Sequence, residues 1–500
     1  MPRTRRAAAA PAIALPLRPD RAESPLYVQL YQQLREHIVS GLLSEGRSLP
    51  SARTMARDLR VSRNTVDTAL GLLAADGFVT RRVGAGTVVS ALDRIAALAW
   101  PARSTSAAAP TAPPSLSARG ALLARCGDAE RDADGRGLPS TVDVAAFPVA
   151  EWNRVLARSM RERGIRGLQA ADPQGDRALR RAISEHVRLA RGVRCTAEQV
   201  LITSSTQQAL DLIGRLLIDT GDRVLMEDPG YPSARMSLEA AGATLVFLPV
   251  DRHGVDTDRL ATERTARLLY VTPSHQFPLG VTLSLKRRMA ALAWATARQS
   301  WIVEDDYDSE FRYDGRPIAA LQGIDRAGRV LYIGSFNKVL FPGLRVAYLI
   351  LPPALVESFV SARRLTDGGS ASFTQAALAA FVRSGRFAAY LRRMRGVYAA
   401  RRDALVTRLE ALAPRLRVGA SDTGLHLVAH LPSMADDLAL AAAASGFGLG
   451  VAPLSNYYAS RERRRGLLMT FGATSPMEIA ASIDALAAML RTALTRASSP

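Results

Sequence analysis

The sequence predicts two folded units. A small one, three helices and a hairpin, stands near the amino terminus. A large α/β unit with a mostly parallel sheet follows it. Three observations predict this. At 500 residues the chain is too long for one core. Its composition breaks once, from about Trp100 to Ser117, where WPARSTSAAAPTAPPSLS is rich in Pro, Ala, Ser and Thr and has no apolar period. Beyond the break, apolar runs alternate with helical stretches. The expected divisions are a flexible tail (1–20), a small domain (21–91), a linker (92–139) and a large domain (140–500). The poorly patterned Arg119–Arg136 is counted with the linker.

In the small domain, Leu26, Leu30, Leu34 and Ile38 recur at helical spacing with Tyr27 and Tyr31, and the helix ends near Gly41. Ser51 caps a second helix that ends at Leu59, and Arg60-Val61 makes a tight turn. Ser62 caps a third helix, carrying Val66, Leu70, Leu72 and Leu73, which Asp76-Gly77 stops. Phe78–Val83 and Thr87–Val89 read as strands joined at Gly84-Ala85-Gly86. Three helices followed by a hairpin make a winged helix-turn-helix, whose recognition helix puts its first residues in the major groove. Here those are Ser62, Arg63, Asn64 and Thr65. Arg and Asn make paired hydrogen bonds to base edges, and Ser and Thr reach phosphates. Arg53 and the backbone amides of the glycine wing, including Gly86, are further phosphate candidates. A three-helix protein-interaction module is the bland alternative, which the hairpin disfavours.

In the large domain the strand-like runs are VLIT (200–203), RVLMED (223–228), ATLVFLPV (243–250), RLLYVTPS (267–274), WIVEDD (301–306), VLYIGS (330–335) and VAYLIL (346–351). Gln207–Leu217 and Leu285–Gln299 have helical period. Ligands of such sheets bind at the carboxyl ends of the strands, and four motifs sit there. Ser204, Ser205 and Thr206 lie between a strand and a helix, a ready phosphate site. Tyr231 projects from EDPGYP, where it can cover a planar ligand. Asp305 and Tyr307 follow a strand and suit a protonated ring nitrogen and a phenolate oxygen. Lys338, in GSFNKVLFPGLR, is one of two lysines in the chain, and a lysine in a poorly hydrated site forms Schiff bases. Each motif alone has an ordinary structural explanation as a cap, a packed loop or a solvated turn. Together they describe a pyridoxal 5′-phosphate site. Lys338 takes the aldehyde, Asp305 the ring nitrogen and Tyr307 the ring oxygen, while Tyr231 stacks on the ring. Ser204, Ser205, Thr206, Ser335 and Arg345 are left for the phosphate.

Composition agrees and excludes alternatives. Apolar residues make up 48% and charged residues 22%, ordinary for a folded chain. No run approaches about 18 apolar residues, so no membrane span is expected. The start MPRTRRAAAAPAIALPL, broken by Pro11 and Pro16, does not read as a signal peptide. Cys126 and Cys195 are too far apart in sequence for a disulfide framework or a metal site, and a cytoplasmic home is expected. Lys+Arg is 65 against Asp+Glu 46, and the net charge of +19 points to a polyanion, nucleic acid first. Arginine-rich codon usage gives the same surplus, since 65 − 2 = 63 of the basic residues are arginine.

The small domain resembles the GntR family of regulators across PLYVQLYQQLREHIVSGLL, LPSARTMARDLRVSRNTV and ADGFVTRRVGAGTVV. The large domain resembles fold-type I aminotransferases. The two together resemble the MocR subfamily, through DPQGDRALRRAI, RGVRCTAEQVLITSSTQQALDLI, TPSHQFPLG, EDDYDSEFRYDG, GSFNKVLFPGLR and GLHLVAHLP. The resemblance implies a sequence-specific regulator that binds a double-stranded DNA operator and holds pyridoxal phosphate. It further implies that the protein senses an amine, amino-acid or B6-type effector and forms a head-to-tail homodimer. The alternative is an aminotransferase with an accessory DNA-binding domain. The sequence departs from the family pattern at Ser205, where Gly is usual, and at Ala170, where many relatives have Tyr. It also departs in GLLMTFG (466–472), which lacks the arginine that grips substrate carboxylates; Arg465 is the nearest candidate, in an exposed basic loop. Asn337 stands where serine is common and looks tolerable.

Overall fold

The apolar spacing of the amino-terminal unit becomes a packed core. In α1 (Leu26–Val39), Leu30, Leu34 and Ile38 are buried. They meet Met55 and Ala56 of α2 (Ala52–Leu59) and Val66, Ala69, Leu70 and Leu73 of α3 (Arg63–Ala75). Leu72 is exposed instead, on the far side of the helix. Both expected caps form, with Ser51 Oγ accepting from the Thr54 amide at 3.2 Å and Ser62 Oγ from the Thr65 amide at 3.0 Å. Arg60 closes α2 in the left-handed conformation, the tight turn between the two helices. The wing is three-stranded. Ser48–Leu49 (β1) adds to the hairpin Val79–Arg82 (β2) and Gly86–Val89 (β3) in the order β1-β3-β2.

The computed structural model describes residues 24–82, 86–91, 116–135, 142–169, 171–315, 318–444 and 448–497. The expected tail, Gly84-Ala85 of the wing and Ala170 lie outside them. The chain divides into two units, Met1–Ser115 and Leu116–Pro500. The second begins earlier than the sequence pattern marks it. Ala118–Gly135, counted above with the linker, is a helix, α4, packed against α8 (Pro232–Ala240).

In the larger unit β4 (Val200–Thr203), β5 (Arg223–Asp228), β6 (Thr244–Asp251), β7 (Gly254–Val255), β8 (Ala266–Val271), β9 (Trp301–Asp306), β10 (Val330–Ser335) and β11 (Ala347–Ile350) form one sheet. Its order is β4-β11-β10-β9-β8-β5-β6-β7, and β11 and β7 run antiparallel to their neighbours. The central strands are parallel and almost wholly buried, as a sheet covered on both faces requires. Apolar clusters occupy the two sides, one holding Leu210, Ile213 and Leu238 and the other Leu269, Leu292 and Trp294. A second, antiparallel sheet joins β12 (Arg417–Val418), β13 (His426–His430), β14 (Gly450–Pro453) and β15 (Gly466–Thr470) in the order β12-β13-β15-β14. Among the described residues no helix is long and apolar enough to cross a membrane.

Candidate functional site

Strand β9 ends in three buried carboxylic residues, and strand alternation sends the middle one to the opposite face. Glu304 accepts the Leu321 and Gln322 amides, each at 2.8 Å. Asp306 accepts Arg191 Nε at 2.8 Å and the Tyr332 hydroxyl at 2.6 Å. Asp305 behaves differently. Its Oδ2 accepts the Tyr270 hydroxyl at 2.7 Å, while its Oδ1 is buried without a partner. Burial, reinforced by the charges of Asp306 and Asp308, pushes the Asp305 carboxyl up to about 7, against the pull of the Tyr270 bond and of Lys338. A protonated ring nitrogen is a group that would satisfy the bare oxygen and favour the ionised carboxylate, so the donor set fits a pyridinium cofactor.

Lys338 stands beyond β10, close enough for its charge to act on both Asp305 and His426. Its surroundings correct one sequence expectation. Asn337 and Val339 are buried, but Lys338 is exposed in the single chain rather than held in a dry pocket. Asn337 braces this loop. Its Nδ2 donates to the Ser204 carbonyl at 3.1 Å, its Oδ1 accepts the Val346 amide at 2.9 Å, and its own amide donates to Ser335 Oγ at 3.2 Å. The lysine loop is thereby tied to Ser204, Ser205 and Thr206 at the start of α7 (Thr206–Leu217). Ser205 has an extended backbone (φ −167°) that any residue adopts, so its side chain brings no strain where Gly is usual. The Ser204 amide is engaged as a donor within the loop, while Ser205 Oγ enters it as an acceptor. Gln208 Oε1 accepts the Ser204 amide at 2.8 Å, and Ser205 Oγ accepts the Gln208 amide at 3.2 Å. Arg345 is exposed in the left-handed region (φ 54°), a strained conformation of the kind that gathers at functional sites.

Tyr231 opens α8 and lies edge-on to Phe277 with ring centroids 5.6 Å apart. Phe277 also meets Tyr307, His426 and Tyr457 at 6.0, 5.3 and 5.4 Å. Phe277 and His426 therefore join Tyr231 and Tyr307 in one aromatic cluster. The motifs TPSHQFPLG and GLHLVAHLP contain them, but neither a loop phenylalanine nor a histidine inside an apolar strand shows in sequence which ring it meets. Tyr270 was hidden likewise, as one more large residue of strand β8. His275, Asp308 and His426 have ligand atoms within 4.8 Å of one another, the spacing of a cation site. Several of their polar atoms already have protein partners. His275 Nδ1 is 2.9 Å from Asp308 and 2.9 Å from the Tyr307 hydroxyl, and His426 Nε2 is 3.2 Å from the Pro278 carbonyl. Arg465 donates to the buried Asp437 at 2.9 Å, and strand β15 beyond it is wholly buried with no basic residue.

In the small unit Arg53, Ser62, Arg63 and Asn64 are exposed and Thr65 is partly so. Ser62 Oγ and Thr65 Oγ1 are 2.8 Å apart, which joins both to the cap. The Arg63 side chain is 74% exposed and makes an i,i+4 pair with Asp67 at 3.4 Å. Such a pair is weak in water and leaves the guanidinium free to swing to a base edge. Asp67 also holds Arg81 of the wing at 2.7 Å. Gly86 is exposed with φ +87°, open to close backbone approach.

Two family models match the chain: bacterial regulatory proteins of the gntR family over residues 26–89, and aminotransferase class I and II over 147–475. The chain is 39% identical to a probable rhizopine catabolism regulatory protein, MocR, of Rhizobium meliloti, over 93% of this chain and 94% of that one. It is 31% identical to PdxR, an HTH-type pyridoxine biosynthesis transcriptional regulator of Corynebacterium glutamicum, over 89% and 91%. Among solved structures it is similar to LysN, an α-aminoadipate aminotransferase of Thermus thermophilus complexed with N-(5′-phosphopyridoxyl)-L-leucine. That match has 28% identity and a TM-score of 0.65, and covers 74% of this chain and 99% of that one.

Proposed function

We propose, from the premise that this chain belongs to the MocR subfamily of GntR-type transcription regulators, that its large unit holds pyridoxal 5′-phosphate and uses it to sense an amine, amino-acid or B6-type effector that controls occupancy of a DNA operator. The observation that carries this reading is the buried Asp305 carboxyl with one bare oxygen, beside Lys338.

When bound, pyridoxal phosphate supplies an aldehyde that condenses with amines and a ring that accepts electron density. The chain's own residues have these roles. Lys338 offers the amine that tethers the aldehyde, and its exposure leaves room for a competing effector amine. Asp305 keeps the proton on the ring nitrogen, oriented by the Tyr270 hydroxyl. Tyr307 donates to the ring oxygen, and Tyr231 covers a ring face. Ser204, Ser205 and Thr206 at the positive end of α7, with Ser335 and Arg345, take the phosphate. In the small unit Arg63 and Asn64 read base edges, while Arg53, Ser62, Thr65 and the Gly86 amide reach the backbone. A head-to-tail homodimer supplies two reader domains for two half-sites. The names of the relatives, a probable rhizopine catabolism regulator and a pyridoxine biosynthesis regulator, support a small-molecule signal.

The test is an absorbance titration of the purified chain with pyridoxal phosphate, beside an anisotropy titration with duplexes from upstream of its own and adjacent genes. The expected result is a visible band that Lys338→Ala abolishes, with tight binding to one duplex that a candidate amine alters. A chain that stays colourless, or binds every duplex alike, overturns the reading.

A further inference from the structure

Behind Tyr307 the structure builds a buried device that the cofactor reading does not use. His275 Nδ1 lies 2.9 and 3.0 Å from the two oxygens of Asp308, and 2.9 Å from the Tyr307 hydroxyl. His275 and Asp308 are 2% and 4% exposed at the side chain, and His275 meets both Asp308 oxygens. One nitrogen thus faces two groups. An ionised carboxyl offers only acceptors, so the hydrogen between the pair belongs to Nδ1. Nδ1 then has no lone pair to give, and the Tyr307 hydroxyl cannot donate to it. The tyrosine oxygen turns a lone pair towards the N–H, and its own hydrogen is left for another acceptor. The far nitrogen agrees with this tautomer. His275 Nε2 is buried without a partner, and a bare acceptor is tolerated better than a bare donor.

The surroundings hold the ring in place. A Cβ on Gly424 would lie 2.0 Å from His275 Cε1 and 2.6 Å from Asp308 Oδ2, and Gly424 has φ +82°, so only glycine fits there. The His426 ring packs against His275, tilted by 36° with centroids 4.7 Å apart. Burial holds the His426 imidazole well below its ordinary range, so it stays neutral and adds no charge to the pair.

We propose that His275 and Asp308 are positioning residues for Tyr307. The pair fixes the hydroxyl so that its hydrogen is presented to the ring oxygen of the cofactor. The proposal rests on the cofactor reading above for its acceptor, but the tautomer it requires exists without cofactor.

The experiment therefore has two arms. In apo protein with ring-15N-labelled histidine, His275, assigned by its loss in His275→Gln, should read as protonated at Nδ1 and bare at Nε2. In holo protein, donation to the ring oxygen stabilises its anionic form and lowers the pH midpoint of the visible band. Tyr307→Phe and Asp308→Asn should each raise that midpoint by about one unit. The double variant should rise no further than Tyr307→Phe alone, because both changes remove one interaction. A His275 protonated at Nε2 overturns the proposal. So does an Asp308→Asn midpoint equal to wild type, or shifts that add in the double variant, which is the mark of general loosening. Should the chain never acquire colour, the function reading fails and the apo tautomer alone decides this one.

Discussion

The carboxyl of Asp305 carries opposite consequences for the empty and the loaded site, and a single substitution separates them. Burial pushes it up to about 7, so without cofactor the neutral acid is favoured below that pH. A carboxyl raised in the folded state contributes stability that is complete below its ordinary unfolded value near 4, and that contribution is lost as pH rises through about 7. Asp305→Asn keeps the shape and removes the ionisation. The apo variant should therefore melt several degrees higher than wild type at pH 8 and at much the same temperature at pH 4. Its decline with pH should be shallower but not absent, because burial also lifts Glu227 and Glu304 to about 7. The loaded protein should respond oppositely, retaining pyridoxal phosphate at least about tenfold more weakly, since an amide cannot hold the ring proton. Thermal melts at both pH values and a retention assay decide it; an apo variant less stable than wild type at pH 8 would mean that the carboxyl is satisfied there. Asp305, Tyr307 and Lys338 were legible in the sequence because Lys and Asp declare their chemistry by type. Tyr270, Phe277, His275 and His426 were not, because what matters in them is the neighbour each meets across the sheet.

At the scale of elements, the recognition helix separates folding from reading within four residues. Ser62 is exposed, yet its hydroxyl oxygen accepts the Thr65 amide and so caps the helix. Ser62→Ala should lower the unfolding free energy of the small unit by about 1 kcal/mol, read by denaturant titration of residues 24–91. Arg63 is one residue further on and holds only a solvated pair. Arg63→Ala should leave that stability within about 0.5 kcal/mol and weaken operator binding by about 1–3 kcal/mol, roughly five- to 150-fold, with cofactor content unchanged. Equal operator affinity in the variant removes Arg63 from the reading surface. Long strands and capped helices could be read in advance because their residues repeat a period or carry a cap. Strand β1 could not, since two residues contain no period and their place is set by pairing with Thr87 and Val88. Helix α4 escaped for another reason. ARGALLARCGDAERDADG mixes charge and glycine around the turn, and it is ordered by packing on α8 rather than by its own pattern.

The whole molecule joins two units whose boundary falls between Ser115 and Leu116, and each has its own core. A chain cut to residues 116–500 should therefore keep its visible band and its response to amines while losing operator affinity. The converse piece, residues 24–91, should bind the same operator but more weakly than the full chain by ten- to a thousandfold. The small piece would lack whatever pairing the large unit gives the proposed homodimer, and pairing turns the second half-site contact into an intramolecular one, which raises avidity without any new contact. The salt slopes should differ as well. Counterion release scales with the phosphates engaged, so one reader domain should lose affinity with salt about half as steeply as two. Anisotropy titrations at three salt concentrations, with sedimentation of each piece, distinguish the possibilities. Equal affinity and equal slope for the small piece and the full chain would mean that a single reader engages DNA. The large unit would then have to influence occupancy by some route other than bringing two readers together.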